Sequence, residues 1–311
     1  MMDWTTRHCR YFHRLLGPRA VLYTEMLHSG AILHGDRARL LGFDPSEHPL
    51  AVQIGGSDPK ALAESARIAE QAGFDEVNLN LGCPSERVQN AAFGACLMLD
   101  PARVADCLEG MIAAVGIPVS VKIRIGVDTR DSWEYLRDFV AGIATTGCRV
   151  VIVHARKAWL RGLSPKQNRE VPQLDHERVY QLKQEFPEVC VVINGGIRCA
   201  GDVQLHLAKT DGAMLGRAAY HDPWVLTRCH ERLWPGEAPT DRGEIVRAMR
   251  VYAEREMSRQ EISMGAVCRP LLGLFHGQRG ARNWRRHISE RAHRSDATPQ
   301  LLLDALSRVE R

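Results

Sequence analysis

One cysteine, Cys83, follows a stretch that alternates apolar and polar residues, EVNLNLGCPS at positions 76–85. Alternation with a period of two predicts a β-strand that carries Asn78 and Asn80 on one face. The glycine and proline that flank Cys83 predict a turn holding the thiol just past the carboxyl end of this strand. In parallel α/β folds, active sites lie at that end. A free cysteine is more often a buried, inert thiol, but two amide side chains aimed at the same strand end favour a chemical role.

Polar or basic side chains stand near the carboxyl ends of five predicted strands, and they are Gln53, Asn78, Asn80, Lys122, Arg124, His154 and Asn194. Lys122 shares a strand face with Ser120 and Arg124, so it should point to the inside of the sheet. A buried lysine is costly unless it faces an anion or a carboxylate. Singly, His154 could be a core histidine and Gln53 a strand-end cap. Together, such residues at five strand ends predict a site.

Two glycine-containing loops follow the last two predicted strands, with Asn194, Gly195 and Gly196 in one and Gly216 and Arg217 in the other. Glycines let backbone N–H groups approach a phosphate, and Arg217 adds positive charge. In eight-stranded barrels, the loops after strands 7 and 8 are the usual phosphate site. These loops predict a phosphorylated cofactor, and Lys122 could neutralise an anionic ring such as a reduced flavin. The sequence has no Walker loop, G-x-G-x-x-G motif or metal-ligand spacing, so no metal site is predicted.

The elements that must position these residues alternate between strand and helix. Seven strands are predicted, at 20–26, 50–54, 76–81, 119–125, 150–154, 189–193 and 212–215. A helix follows each strand, the first of them predicted at 29–41, and a loop is predicted at 84–99. This alternation implies parallel strands with right-handed crossovers. Seven or eight such units in about 235 residues predict a (β/α)8 TIM barrel rather than a doubly wound sheet.

A second region of different character follows the barrel. Residues 234–241, WPGEAPTD, predict a linker. Beyond it only helices are predicted, at about 242–258, 263–276, 279–292 and 298–309. We therefore expect two domains, a catalytic barrel at 1–235 and a small all-α domain at 241–311.

The composition excludes several classes of protein. The chain has 311 residues, 45% of them hydrophobic and 25% charged, which is ordinary for a globular protein. No run of about 18 apolar residues predicts a membrane span, and the amino terminus lacks the apolar region of a secretory signal. Nine cysteines without a C-x-x-C pair predict reduced thiols in the cytoplasm, rather than disulfides, a zinc ribbon or an iron–sulfur cluster.

Positive charge is concentrated in the helical region. Residues 240–311 hold 14 arginines and 9 acids, a net charge of +5, which leaves −1 for the first 239 residues of a chain with +4 overall. Within 269–294 there are seven arginines and one acid, Glu290. An isolated charged run is usually a solvated face, but a basic helical region on a near-neutral body predicts binding to a polyanion.

Several motifs together resemble the bacterial tRNA-dihydrouridine synthases. They are MMDWT at the start, TEM at 24–26, QIGG at 53–56, NLNLGCPS, VKIRIG, HARKAWLRGLSPKQNRE and NGGI. The HARKAWL…SPK segment, and similarity that continues through GQRG, resemble the A subfamily. The resemblance covers nearly the whole chain.

This resemblance implies a flavoprotein with a TIM barrel, FMN at its mouth and a small helical domain that binds tRNA. NADPH would reduce the flavin, and a hydride would pass from flavin nitrogen-5 to carbon-6 of a uridine in the tRNA D-loop, at positions 20 and 20a. The resemblance makes Cys83 the general acid that protonates carbon-5 from the opposite face. Uracil needs both a hydride and a proton, so that thiol must be kept protonated.

The resemblance also assigns the other site residues. The implied FMN contacts are Met1, Met2, Gln53, Lys122 and His154, with Asn194, Gly195, Gly196, Gly216 and Arg217 at the phosphate. Asn80 falls near the substrate base, and the implied tRNA contacts are Lys166, Arg169, Arg279 and Arg282. A buried cysteine reaches a loop base only if that base leaves its stack, and binding should weaken steeply with salt.

One departure concerns the first strand of the barrel. In the family this strand precedes an A-P-M-M-D-W motif, whereas this sequence begins at Met1 and Met2. We therefore expect the barrel to lack its first strand and to hold FMN less firmly.

Two alternative functions are a small-molecule flavin reductase of the dihydroorotate type and a tRNA-binding protein without turnover. The basic helices argue against the first, and Cys83, Lys122 and His154 argue against the second. The sequence does not specify the exact uridine, NADPH or NADH, or the oligomeric state.

Overall fold

Seven parallel strands form a single sheet in sequence order, the arrangement of a TIM barrel rather than of a doubly wound sheet. The computed structural model describes residues 1–239, 241–259 and 262–309, with only the backbone of Arg87. The strands are β1 Leu22–His28, β2 Leu50–Gly55, β3 Glu76–Asn80, β4 Val119–Arg124, β5 Val150–His154, β6 Cys190–Asn194 and β7 Gly212–Met214. Each predicted strand is present. Within the described residues β1 and β7 are the two edges of the sheet.

Helices follow the strands and cover the outside of the sheet. They are α1 Arg7–Leu16 before β1, then α2 Ser29–His34, α3 Arg37–Leu40, α4 Pro59–Gln71, α5 Glu86–Asn90, α6 Pro101–Ala114, α7 Trp133–Thr145, α8 His176–Glu185, α9 Ala200–Leu207, α10 Arg217–His221 and α11 Trp224–Leu233. Asp58 caps α4 and Asp100 caps α6, each followed by a proline that suits the first helical turn.

Two local expectations were wrong. The helix predicted at 29–41 is divided into α2 and α3, because the chain is extended at Gly35 and begins again with Asp36 as a cap. The loop predicted at 84–99 contains α5 and a 3₁₀ turn, Gly94–Leu99. Both differences lie in short segments, where tertiary packing overrides weak local preference.

Strand parity separates two environments within the barrel. In β4, Val119, Val121 and Ile123 are buried in the layer between sheet and helices. Ser120, Lys122 and Arg124 alternate with them and face the interior, as the sequence predicts. The register places Asn80 beside Lys122 and Arg124 beside His154, so the polar interior residues of adjacent strands become neighbours.

The remaining helices surround a second core. They are α12 Arg242–Arg259, α13 Met264–Cys268 with a 3₁₀ turn at Arg269–Gly273, α14 Ala281–Arg291 and α15 Gln300–Leu306. Tyr252 and Trp284 are almost fully buried here, together with Phe12 and Leu16 of α1. The proposed division at 235–241 stays a prediction. Residue 240 of this linker, and residues 260, 261, 310 and 311 of the predicted helical domain, lie outside the described residues.

No helix in the described part of the chain combines the length and the apolar character needed to cross a membrane.

Candidate active site at the barrel mouth

Three amide side chains from adjacent strands form one hydrogen-bonded line in the barrel interior. Gln53 Nε2 donates to Asn78 Oδ1 at 2.8 Å, and Asn80 Nδ2 donates to Gln53 Oε1 at 2.7 Å. The β2–β3 register places Gln53 beside Asn78, which explains the first contact. Asn78 is fully buried and Asn80 nearly so, so these bonds satisfy groups that would otherwise be costly to bury.

The Cys83 loop is held by side chains from two strands. The backbone N–H groups of Gly82 and Cys83 donate to Asn80 Oδ1 at 3.2 and 3.0 Å. Arg124 Nε donates to the Gly82 carbonyl at 3.0 Å, and the Cys83 carbonyl accepts from the backbone of Ala95 at 2.9 Å. The thiol is half-buried and lies 3.5 Å from Ser85 Oγ. It therefore occupies a fixed position and remains accessible.

Lys122 crosses the mouth of the barrel without a carboxylate partner. Its ammonium donates to Asn194 Oδ1 at 3.0 Å, and among the described residues it forms no ion pair. Burial and, to a smaller extent, the charge of Arg124 lower the pKa of Lys122 to about 7. Burial also lowers the pKa of Arg124 to about 10. A cation with only a neutral amide beside it fits a site for an anion.

His154 stands at the same mouth as a neutral ring. Burial lowers the pKa of its imidazole well below the usual value, and Arg124 and Lys122 add to the effect. Its ring packs against Gly195, where a Cβ atom would lie 2.6 Å from His154 Cδ2. Gly195 and Gly196 both have positive φ, at 109° and 76°. Only glycine fits this loop, and the Gly195 carbonyl contacts His176 Nε2 at 2.9 Å.

The loop that follows β7, with Gly216 and Arg217, contacts the long segment at 155–174. Arg217 pairs with Glu170 at 2.7 Å, so its charge is partly neutralised. Gly216 precedes it at the start of α10, and the Met1 sulfur lies 4.0 Å from where a Gly216 Cβ would be. Met1 is therefore beside this loop, while Met2 is 54% exposed.

A family model described as dihydrouridine synthase (Dus) matches residues 1–310. The chain belongs to the dihydrouridine synthase family. It is 52% identical over 311 residues to a tRNA-dihydrouridine(20/20a) synthase of Yersinia pestis, covering 99% of this chain and 90% of that protein. It is 53% identical over 310 residues to a protein of the same name from Xanthomonas axonopodis pv. citri, covering 100% of this chain and 92% of that one.

Dihydrouridine synthases are flavin-dependent, and the residues at this mouth fit a flavin. A lysine without an ion-pair partner among the described residues suits an anionic ring, and the backbone N–H groups of a glycine loop beside the neutral His154 ring suit a phosphate. Among the described residues, no three His, Cys, Asp or Glu side chains are grouped as metal ligands would be.

The residues that the family resemblance assigns to tRNA lie in two places. Arg169, on the 155–174 loop, faces the mouth: burial, then the charge of Arg217, lowers its pKa, and its buried Nε has no partner among the described residues. Lys166 is exposed on the same loop. Arg279 and Arg282 are exposed on the surface of the helices that surround the second core.

Sequence reasoning left Arg124 without a role in this dihydrouridine synthase site. Besides Gly82, it donates to the carbonyl of Asn168 at 3.0 Å and to that of Lys157 at 3.4 Å. It therefore joins the Cys83 loop to the 155–174 loop. Its parity with Lys122 already indicated an inward side chain, but its backbone partners lie 33 to 44 residues away and no local pattern predicts them.

Proposed function

We propose that this chain is an FMN-dependent tRNA-dihydrouridine synthase that uses NADPH to reduce uridines of the tRNA D-loop to 5,6-dihydrouridine. The observation that carries the proposal is the accessible thiol of Cys83, fixed by Asn80 and Arg124 beside the unpaired Lys122. The names of the relatives give positions 20 and 20a, and we propose the same positions here. Nine free cysteines fit a cytoplasmic enzyme.

A bound, reduced flavin supplies a hydride to carbon-6 of uracil. Cys83 provides the proton for carbon-5: its S–H bond breaks, a C–H bond forms, and the thiolate regains a proton from solvent before the next turnover. Burial lowers the pKa values of Lys122, Arg124 and Arg169, and negative charge on Cys83 opposes each shift.

We assign the cofactor and substrate contacts by the same proposal. The FMN contacts are Met1, Met2, Gln53, Lys122, His154, Asn194, Gly195, Gly196, Gly216 and Arg217. The tRNA contacts are Asn80 at the base and Lys166, Arg169, Arg279 and Arg282 along the backbone. The barrel at 1–235 would carry the chemistry, and the helices at 241–311 would bind tRNA.

The target base must leave its stack to reach Cys83, because the thiol lies within the barrel mouth rather than on a protruding surface. Exposed arginines of the second core would hold the phosphate backbone while the base is turned out. Such contacts release counterions, so affinity should fall steeply as salt increases.

The test combines the purified protein, NADPH and tRNA that lacks dihydrouridine, with the product measured by mass spectrometry. We expect dihydrouridine in the D-loop, and we expect Cys83→Ala to retain the bound flavin while losing nearly all product. Cys229→Ala is the matched control, since that cysteine is buried on α11, away from the mouth.

Two outcomes would contradict the proposal. Normal product formation by Cys83→Ala would remove the thiol from the mechanism. Reduction of orotate-like small molecules without reduction of tRNA would instead indicate the dihydroorotate type of reductase.

A further inference from the structure

A continuous line of hydrogen bonds runs from the Cys83 loop through the barrel interior to Glu76, at the amino end of β3. We call this line the amide relay; it consists of Asn80, Gln53, Asn78, Ser120 and Glu76. Asn78 Nδ2 donates to Ser120 Oγ at 2.7 Å, and Ser120 donates in turn to Glu76 Oε1. Tyr23 OH donates to the same carboxylate oxygen at 3.1 Å.

The direction of the relay is fixed at the Cys83 end. Backbone N–H groups can only donate, so Asn80 must turn its oxygen toward Gly82 and Cys83. Its nitrogen then faces Gln53, which must present oxygen to it and nitrogen to Asn78. Every amide orientation in the relay follows from this one end.

The direction is fixed again, and independently, at the Glu76 end. An ionised carboxylate can only accept, so Ser120 and Tyr23 must both donate to it. Ser120 has a single proton, and its oxygen is left to accept from Asn78. Asn78 must therefore point its nitrogen at Ser120, the orientation that the other end also requires.

We propose that Glu76 is a positioning residue: as terminal acceptor it requires the same orientation of Asn78, Gln53 and Asn80 that the Cys83 loop requires, and so it stabilises the geometry of that loop. With that orientation, one N–H of Gln53 and one of Asn80 remain unused by the relay. These two N–H groups can donate to ligand acceptors, such as the carbonyl oxygens of a flavin or a uracil. The catalytic part of this inference rests on the proposed function; the geometric part does not.

The sharpest test reverses one bond of the relay and then restores it. Asn78→Asp places an acceptor opposite Ser120, whose only proton then cannot serve both carboxylates. Adding Glu76→Gln supplies an N–H to Ser120, whose hydroxyl is free to donate to the new carboxylate. The double variant thus recovers every bond of the relay, including the one from Gln53.

The readout is hydrogen exchange of the Gly82 and Cys83 amides in the flavin-loaded protein as purified. At pH 8 we expect Asn78→Asp to speed this exchange at least roughly tenfold. One of the two carboxylates at Ser120 then lacks a hydrogen-bond donor, and this buried, unsatisfied group destabilises the loop. The double variant should return to within about threefold of the natural protein. Glu76→Gln alone keeps an acceptor oxygen and should also stay within about threefold.

Protonation gives a second readout that a general loss of stability would not produce. A protonated carboxyl at position 78 can donate to Ser120 as the amide did, so the exchange rate of Asn78→Asp, divided by that of the natural protein at the same pH, should return toward one as the pH falls. Ser65→Ala is the matched control, because its hydroxyl is as fully buried as that of Ser120 but lies on α4, outside the relay. That variant should leave exchange at Gly82 and Cys83 unchanged.

Unchanged exchange in Asn78→Asp, or a double variant no slower in exchange than Asn78→Asp, would overturn the inference. Product formation from tRNA is measured on the same proteins. If the natural protein forms no dihydrouridine while the exchange pattern holds, the proposed function fails and the role of Glu76 in the loop stands.

Discussion

Helices α12 and α14 of the second core are both rich in arginine, but their arginines differ in their partners. Along α12, Arg247 pairs with Asp241 at 3.0 Å, Arg250 with Glu254 at 2.6 Å, and Arg255 with Asp44. Along α14, no ion pair with a described residue is formed by Arg282, Arg285, Arg286 or Arg291. A count of charges along the sequence does not show which of these arginines are paired.

The paired arginines of α12 therefore stabilise the fold, whereas the arginines of α14 are available to a ligand. Asp44 precedes β2, so its contact with Arg255 joins the second core to the barrel. A polyanion could use the α12 arginines only by competing with existing carboxylates. The α14 arginines lose only water and counterions on binding, which is the source of affinity for nucleic acid.

The strongest test of this comparison replaces arginines at the start of α14. Arg279→Ala with Arg282→Ala should weaken tRNA binding on the order of a hundredfold at low salt, because two charge-assisted phosphate contacts are lost. The slope of log affinity against log salt should decrease by about two. Filter binding at several salt concentrations measures both.

The matched control for that variant is Arg247→Ala with Arg250→Ala on α12, which removes the same charge. We expect little loss of affinity from it, and flavin reduction by NADPH should persist in both variants. Equal losses from the two helices would mean that net charge alone, and not ion pairing, decides tRNA binding.

Lys122 extends the comparison to a partly buried cation that has no ion-pair partner among the described residues. Burial lowers its pKa from 10.5 to about 7, so between those values the unfolded chain binds more protons than the folded one. The free energy of unfolding of the flavin-free protein should therefore rise by on the order of 2 kcal/mol from pH 7 to pH 10. Below pH 7 the full cost of burying the charged Lys122 side chain remains. Lys122→Met should lack this rise in denaturant unfolding. Parallel pH profiles for the two proteins would show that Lys122 is not desolvated.

Arg255→Ala should affect stability rather than binding. Its loss leaves Asp44 and the buried Glu256 with one fewer cation, and about 1 kcal/mol of unfolding free energy should be lost. Urea denaturation measures the change, and tRNA affinity should be unaffected once the protein is folded. A tRNA defect at unchanged stability would place α12 in the binding surface.

The smallest effect is expected for Arg250→Ala alone. Its partner Glu254 is one helical turn away and both side chains are largely exposed, so only about 0.3 kcal/mol should be lost. A loss of stability as large as that of Arg255→Ala would show that the pairs of α12 act as one network.

Period and parity were enough to predict the strands, the inward position of Lys122 and the shared face of Asn78 and Asn80. They did not predict contacts between side chains that are far apart in the sequence. Arg217 was expected at a phosphate, but its contact with Glu170 spans 47 residues and does not follow from either local sequence. Glu76 opens its strand, where a carboxylate is commonly exposed, and only the folded barrel brings Ser120 and Tyr23 to it.

The guanidinium of Arg124 is shared between the Gly82 carbonyl and the Asn168 carbonyl. A movement of the 155–174 loop that lengthens one bond must change the energy of the other, so the two loops have a common coupling free energy. Linkage makes that coupling reciprocal. If a bound phosphate group moves Arg169 or Lys166, the conformational energy of the turn that carries Cys83 therefore changes as well. In the same way, a change at that turn alters the affinity for the phosphate.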